Sequence, residues 1–332
     1  MSSAIVPPGR FATLDGMRGV AALIVIAFHY EGIFPVEVAG GYLAVDLFFM
    51  LSGFVLAAVY VPRFERGMGM RNFMISRARR LYPFYLFGLM LGLGARAWQD
   101  PGSALLALPL GLLGLPTPGD GPEYLYHLNS AYWSLFAEWV INVAFVLILW
   151  RLPAILLAIV AAAGAAGLVW AWQVTGTLDG GAHWADAWIG LARVQFGFAM
   201  GMLLHRAFVR YDLGRWRTHP GWLGLALPVL MLPCYWGPDL LVVMLVFPAL
   251  VLVGAMMEPR KANMSLWLGE ISYPLYCLHG PLQIPIRGIA VRTPWPELVG
   301  LVGYGGTLVF TIVLMQVAAR ALRGPRPIPA TT

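Results

Sequence analysis

Apolar runs of roughly 17 to 23 residues recur along almost the whole chain, parted by short polar loops, and a run of that length is what a helix needs to cross a bilayer. Reading for such runs places spans near 14–30, 41–61, 80–97, 130–150, 154–173, 187–207, 221–236, 239–257, 268–289 and 297–320. A further stretch at 103–115, SALLALPLGLLGL, is shorter and bounded by Pro and Gly, which predicts an interfacial or re-entrant segment. The expected fold is an all-α integral membrane protein of about ten transmembrane helices, a single domain over 1–322 followed by a disordered cytoplasmic tail at 323–332. An ordinary soluble domain is excluded, since 11% of the 332 residues are charged where soluble chains carry about 25%.

Charge then orients the spans, because Lys and Arg are retained on the cytoplasmic side. With both termini cytoplasmic, only Arg96, Arg193, Arg287 and Arg292 of the 22 basic residues fall on the outer side. Counting 103–115 as an eleventh span would move every later cluster to the wrong face. The net charge of +6 is thereby explained by topology, and nucleic acid is not an expected partner. The first run continues as AFHYEGIFPVEVAGGY, without the small-residue site of a cleaved signal peptide. Cys234 and Cys277 lie in different runs with no metal-ligand spacing, so neither a disulfide nor a metal is expected.

Ionisable groups inside a span cost about 2.5–3.5 kcal/mol on insertion scales and usually mark a pathway or a site. Arg18 and His29 are eleven residues apart, about 20° past three full helical turns with a rise of about 16.5 Å. They share a face, and are expected to line one crevice from the cytoplasmic end to the depth of the imidazole. Asp46 and Glu138 are placed by helical rise at depths approaching that of His29, where a carboxylate would raise its basicity and fix its tautomer for work on a hydroxyl. His279 is mid-span beside Tyr273 and Tyr276, and Arg193 stands in the outer part of the sixth span.

The densest charge is Arg63, Arg66, Arg71, Arg77, Arg79 and Arg80 between the second and third spans, a cationic stretch suited to anionic membrane lipids. Its end, SRARRLYPFY, sets Arg77, Arg79 and Arg80 next to Tyr82 and Tyr85 at a membrane entry, a setting able to hold a phosphorylated, nucleotide-like ligand.

Five segments together resemble the acyltransferase-3 family of bacterial integral-membrane O-acyltransferases. They are LDGMRGVAALIVIAFHY, GYLAVDLFFMLSGFVL, RARRLYPFY, NSAYWSLFAEW and LGEISYPLYCLHGPL, in family order along nearly the whole chain. The resemblance implies an inner-membrane enzyme that takes an acyl group from acetyl-CoA or another acyl-CoA on the cytoplasmic side and passes it to a hydroxyl of an extracytoplasmic carbohydrate. On that basis Arg18, His29, Glu138 and Asp46 are expected to be catalytic, His29 either as general base on the acceptor hydroxyl or as a transient acyl carrier in a two-step route. Arg77, Arg79, Arg80 and Tyr82 are expected to hold the donor, and Arg193, His279, Trp133, Ser134 and Tyr273 the acceptor. Where many members carry two adjacent acids after Trp-Ser-Leu, this chain has Ala137 and a single Glu138. It looks like the minimal form without an appended hydrolase-like domain of the SGNH type. The alternative from another class is a proton-coupled transporter or flippase of a glycan precursor, which also needs intramembrane charge.

Overall fold

A computed structural model describes residues 10–118, 123–214, 216–218, 239–259 and 262–322. Within them the chain forms ten helices: α1 Ala12–His29, α2 Ala44–Glu65, α3 Met70–Ala97, α4 Pro101–Leu112, α5 Tyr132–Leu147, α6 Ala154–Thr175, α7 Ala187–Arg210, α8 Asp239–Met256, α9 Asn263–Ala290 and α10 Pro296–Leu322. Two three-residue strands, Trp216–Thr218 and Met257–Pro259, pair in parallel beside them. The protein is an all-α membrane protein, and six helices are long and apolar enough to cross a bilayer: α1, α2 with its leading turn, α6, α7, α8 and α10. The span expected at 221–236 and the tail expected at 323–332 lie outside the described residues.

The largest difference from the sequence expectation is α3. It begins at Met70 rather than near 80, so Arg71, Arg77, Arg79 and Arg80 stand on a helix and not in a loop. A helix satisfies its own backbone wherever it runs, so it extends past its apolar part as long as its side chains find water or partners; apolar length registers only the buried portion. The same holds for α9, which starts at Asn263 and runs for 28 residues through Pro274, Pro281 and Pro285.

The short segment after α3 is a true helix with a sequence-coded start. Pro101 fills a first-turn position, where no N–H is needed, and the Asp100 carboxylate accepts from the Ser103 backbone N–H at 3.2 Å. At 12 residues α4 spans about 18 Å, too short to cross. In α8 a π-helical turn at Val242–Val246 lies just ahead of Pro248, whose ring cannot accept regular packing against the preceding turn.

Apolar side chains give helices no preference for each other over lipid, so close backbone approach must hold the bundle together. Glycines supply it. A Cβ on Gly197 of α7 would stand 2.9 Å from Phe49 of α2, and one on Gly53 or Gly201 would collide with the backbone carbonyl of Phe198 or Met50. On the other side of the bundle α1 lies on α9, with Gly269 against Asp15 and Gly19 against Leu268. These two helix pairs carry Arg18, His29, Asp46, Arg193 and His279, while Arg77 and Arg80 come from α3 and Glu138 from α5.

Candidate active site

α1 brings Arg18 and His29 to two separate clefts rather than to one crevice. Arg18 lines an inner cleft of about 90 Å³ with Ser52 of α2, Arg77 and Arg80 of α3, Ser134 and Glu138 of α5, and Ser272, Tyr273 and Tyr276 of α9. His29 lines an outer cleft of about 620 Å³ with Glu31, Arg96, Asn129, Gly280 and Arg287.

In the inner cleft, Arg77 Nη2 meets Glu138 Oε1 at 2.7 Å, and the Ser52 hydroxyl donates to the same oxygen at 3.0 Å. Arg18 Nη1 lies 3.6 Å from Asp15 Oδ1. Arg80 has no ion pair among the described residues, so the cleft keeps one uncompensated guanidinium at its rim. Arg79 is exposed and does not line the cleft. Tyr82 turns away to α4, where its hydroxyl donates to the Leu112 carbonyl, and it stacks on Tyr85 with ring centres 5.7 Å apart.

In the outer cleft, His29 Nδ1 lies 2.8 Å from the Val25 carbonyl and must carry the proton, which leaves Nε2 as a lone pair. Arg287 Nη2 donates to the backbone carbonyls of both His29 and Glu31 at 3.0 Å, closing the C-terminus of α1. The His279 ring stands 4.7 Å from the His29 ring at 70°, wholly buried, with Nδ1 on the Tyr276 carbonyl at 2.8 Å.

A waist of side chains parts the clefts. Ser134 Oγ and Tyr276 Oη are 2.6 Å apart, Phe48 packs edge-on to Tyr276 at 5.8 Å, and Tyr276 lies 5.4 Å from His279. Tyr273 lines the inner cleft and donates to the Leu81 carbonyl at 2.8 Å.

The two carboxylates do not join His29, contrary to what depth along each helix implied. Glu138 belongs to the arginines of the inner cleft. Asp46 is taken up by Arg193: Nη2 to Oδ2 is 2.8 Å, Nε reaches both oxygens, and the remaining donors go to the carbonyls of Gly180 and Tyr42 at 2.8 Å. The guanidinium also lies over Trp133, 5.2 Å from the ring centre, while Trp133 fits against Gly181 and Gly190. Rise alone gives depth and not azimuth, and a buried arginine claims the nearest carboxylate because an unpaired one is costly. Among the described residues no three His, Cys, Asp or Glu side chains gather as a metal site.

Sequence reasoning passed over Asn129, Arg96 and Arg287. The signal for the two arginines was present, since they are two of only four basic residues assigned to the outer side.

Helical membrane fold, paired clefts and an imidazole with a free lone pair suit an enzyme embedded in a membrane. Residues 11–320 match the family model Acyl_transf_3, described as an acyltransferase domain, and the chain belongs to that family of acyltransferases. It is 41% identical over 162 residues to protein 2 in the picA locus of Rhizobium radiobacter, covering 42% of this chain and 82% of that one. It is 34% identical over 73 residues to the peptidoglycan O-acetyltransferase OatA of Listeria monocytogenes and 36% over 72 residues to the putative peptidoglycan O-acetyltransferase YrhL of Bacillus subtilis. Each of these two matches covers 21% of this chain and 11% of the relative. No solved structure matches the chain.

Proposed function

We propose that this acyltransferase moves an acyl group, in the first place acetyl, from cytoplasmic acyl-CoA to a hydroxyl of an extracytoplasmic carbohydrate, with the acceptor held in the outer cleft. One observation carries the reading: a narrow arginine-lined cleft and a wide cleft holding His29 are served by the same helix, about 16.5 Å apart by helical rise. The inner cleft admits an extended arm but not a nucleotide, so the phosphates of CoA rest at the rim against Arg80, with Arg77 and Arg79 near them and Arg18 beside the arm. The acyl carbonyl passes the waist at Ser134 and Tyr276 to reach His29.

There His29 Nε2 takes the proton of the acceptor hydroxyl as its oxygen bonds to the acyl carbon, the carbon–sulfur bond breaks, and the proton passes to the departing thiolate. The topology that serves this chemistry is ten spans with both termini cytoplasmic, in a bacterial inner membrane. Asp46, Arg193 and Trp133 hold α2, α5 and α7 in register around the waist.

The test is thermal unfolding of the purified protein with and without acetyl-CoA, together with acetyl transfer by variants. Acetyl-CoA should raise the melting temperature of the wild type, Arg80→Gln should weaken that effect, and His29→Ala or Arg18→Ala should abolish transfer while the protein still inserts. Near-normal transfer by His29→Ala would overturn the assignment.

A further inference from the structure

Two guanidiniums line the outer cleft with donors unspent. Arg96 stands in the last turn of α3 and Arg287 in the last turn of α9. The backbone dipole favours a cation at a helix C-terminus, which accounts for each residue type but not for both side chains lining one cavity. Neither forms an ion pair among the described residues. Arg96, half-buried, makes no side-chain hydrogen bond among them, and its Nε is buried without a partner. Arg287 is exposed and commits Nη2 to the carbonyls of His29 and Glu31 at 3.0 Å. That contact sets its guanidinium against the residue that carries the imidazole and leaves Nε and Nη1 for a ligand.

The nearby carboxylates do not neutralise this pair. Glu31 lines the same cleft but is exposed and pairs with neither arginine. Asp100, one turn past Arg96, accepts instead from the Ser103 backbone N–H at 3.2 Å. The polar side chains Asn129, Ser130 and Gln283 in the wall carry no charge. The cleft of about 620 Å³ therefore sets two guanidiniums against one carboxylate. On the proposed topology only four basic residues stand on the outer side, and two of the four are placed here.

A cavity lined by an excess of one sign gathers ligands of the other. We infer that the acceptor is acidic: besides the hydroxyl that reacts at His29 it carries a carboxylate or a phosphate ester, held by Arg96 and the free donors of Arg287. The acid is a handle elsewhere on the molecule, so it and the reacting hydroxyl do not converge on one point. This rests on the outer cleft being the acceptor site. A neutral sugar leaves both guanidiniums unpaired and is a poorer ligand.

D-glucuronate and D-glucose 6-phosphate are the probes, each compared with D-glucose, which has the same ring without the acid. Thermal unfolding of the purified full-length protein in a neutral detergent, titrated at matched sodium concentration, should show roughly threefold to tenfold tighter apparent binding of at least one acid than of glucose. The gap should narrow as sodium chloride is raised, and the acid preferred tells carboxylate from phosphate. Arg96→Gln should erase the preference, while Arg96→Lys, which keeps the charge and loses the fork, should retain part of it. Should Arg96→Gln fail to fold, Arg287→Gln takes its place. Equal binding of the acids and glucose by the wild type, or a preference unchanged in Arg96→Gln, overturns the inference. The rival ligand is a lipid headgroup: stabilisation in nanodiscs of phosphatidylglycerol over phosphatidylcholine, lost in Arg96→Gln and without any preference among the sugars, also overturns it. Stabilisation by acetyl-CoA without acid preference faults this inference alone; acid preference without any acetyl-CoA effect faults the donor site and leaves this one standing.

Discussion

Arg77 of α3 and Glu138 of α5 meet at 2.7 Å in the inner cleft, so the carboxylate expected near His29 instead neutralises a guanidinium on the arginine side. Removing one partner of a fully buried pair costs about 3–5 kcal/mol because the other charge is left unpaired, and this pair, with Glu138 20% exposed, falls below that range. Glu138→Ala should therefore lower the unfolding midpoint markedly, whereas Glu138→Gln, which still offers a carbonyl oxygen to Arg77 and Ser52, should cost less than half as much. Chemical unfolding in detergent checks the order.

Asp46 and Arg193 are 0% and 1% exposed with every polar atom of the pair engaged, which favours a scaffolding role. Asp46→Leu and Arg193→Met should each destabilise by several kcal/mol, and the double variant should be less destabilised than the sum by about 1–3 kcal/mol. The informative measurement is transfer at a temperature where each variant is folded. Near-wild-type transfer there supports the scaffold; loss of transfer in a folded Asp46 variant would return Asp46 to the chemistry.

Arg287 spans from α9 to the carbonyls of His29, the last residue of α1, and of Glu31 just beyond it, and so holds the residue that carries the imidazole. Arg287→Ala should lower kcat roughly tenfold to a hundredfold, the scale of a misplacement of about 1 Å, with little change in KM for acetyl-CoA. Arg287→Lys, able to reach one carbonyl at a time, should recover part of that loss. Steady-state kinetics with the two substrates varied separately distinguishes positioning from donor binding.

Where α2 crosses α7, Gly53 and Gly201 bring backbone onto backbone. Gly201→Ala should cost about 1–3 kcal/mol by overpacking. Gly305→Ala on α10, where an added Cβ meets nothing within 4 Å, should be neutral or stabilise by up to about 1 kcal/mol through helix propensity. Melting temperatures of the two variants in the same detergent provide the comparison.

How much of the fold and site the sequence encodes legibly follows from what each signal measures. Apolar length located α1, α2, α6, α7, α8 and α10 to within a few residues, because burial in lipid is a one-dimensional property of the chain. The start of α3 was missed by ten residues, since the cationic turn from Arg71 to Arg80 is helical without being apolar. Helical spacing set Arg18 and His29 on one face, yet only the packing of α9 against α1 divides that face between two clefts. The partners of Asp46 and Glu138 depend on the azimuth of α3 and α7, which no periodicity within α2 or α5 encodes. Asn129 was hidden for a different reason: it sits before α5 in a turn, and its tie is to the Cys277 carbonyl of α9, remote in sequence.

A polar path through a bilayer is also an electrical path. An elementary charge falling through 100 mV releases about 2.3 kcal/mol, so water continuous between the two clefts would discharge the membrane. Phe48, Ser134, Tyr276 and His279 interrupt that water, with Tyr276 6% exposed and His279 not at all. On the proposed topology, with one cleft open to each face, most of the voltage would drop across these few side chains, and the field there would be steeper than in the surrounding lipid. On that reading, a dielectric this thin would block ions while leaving only a side chain or two for a small neutral group to cross.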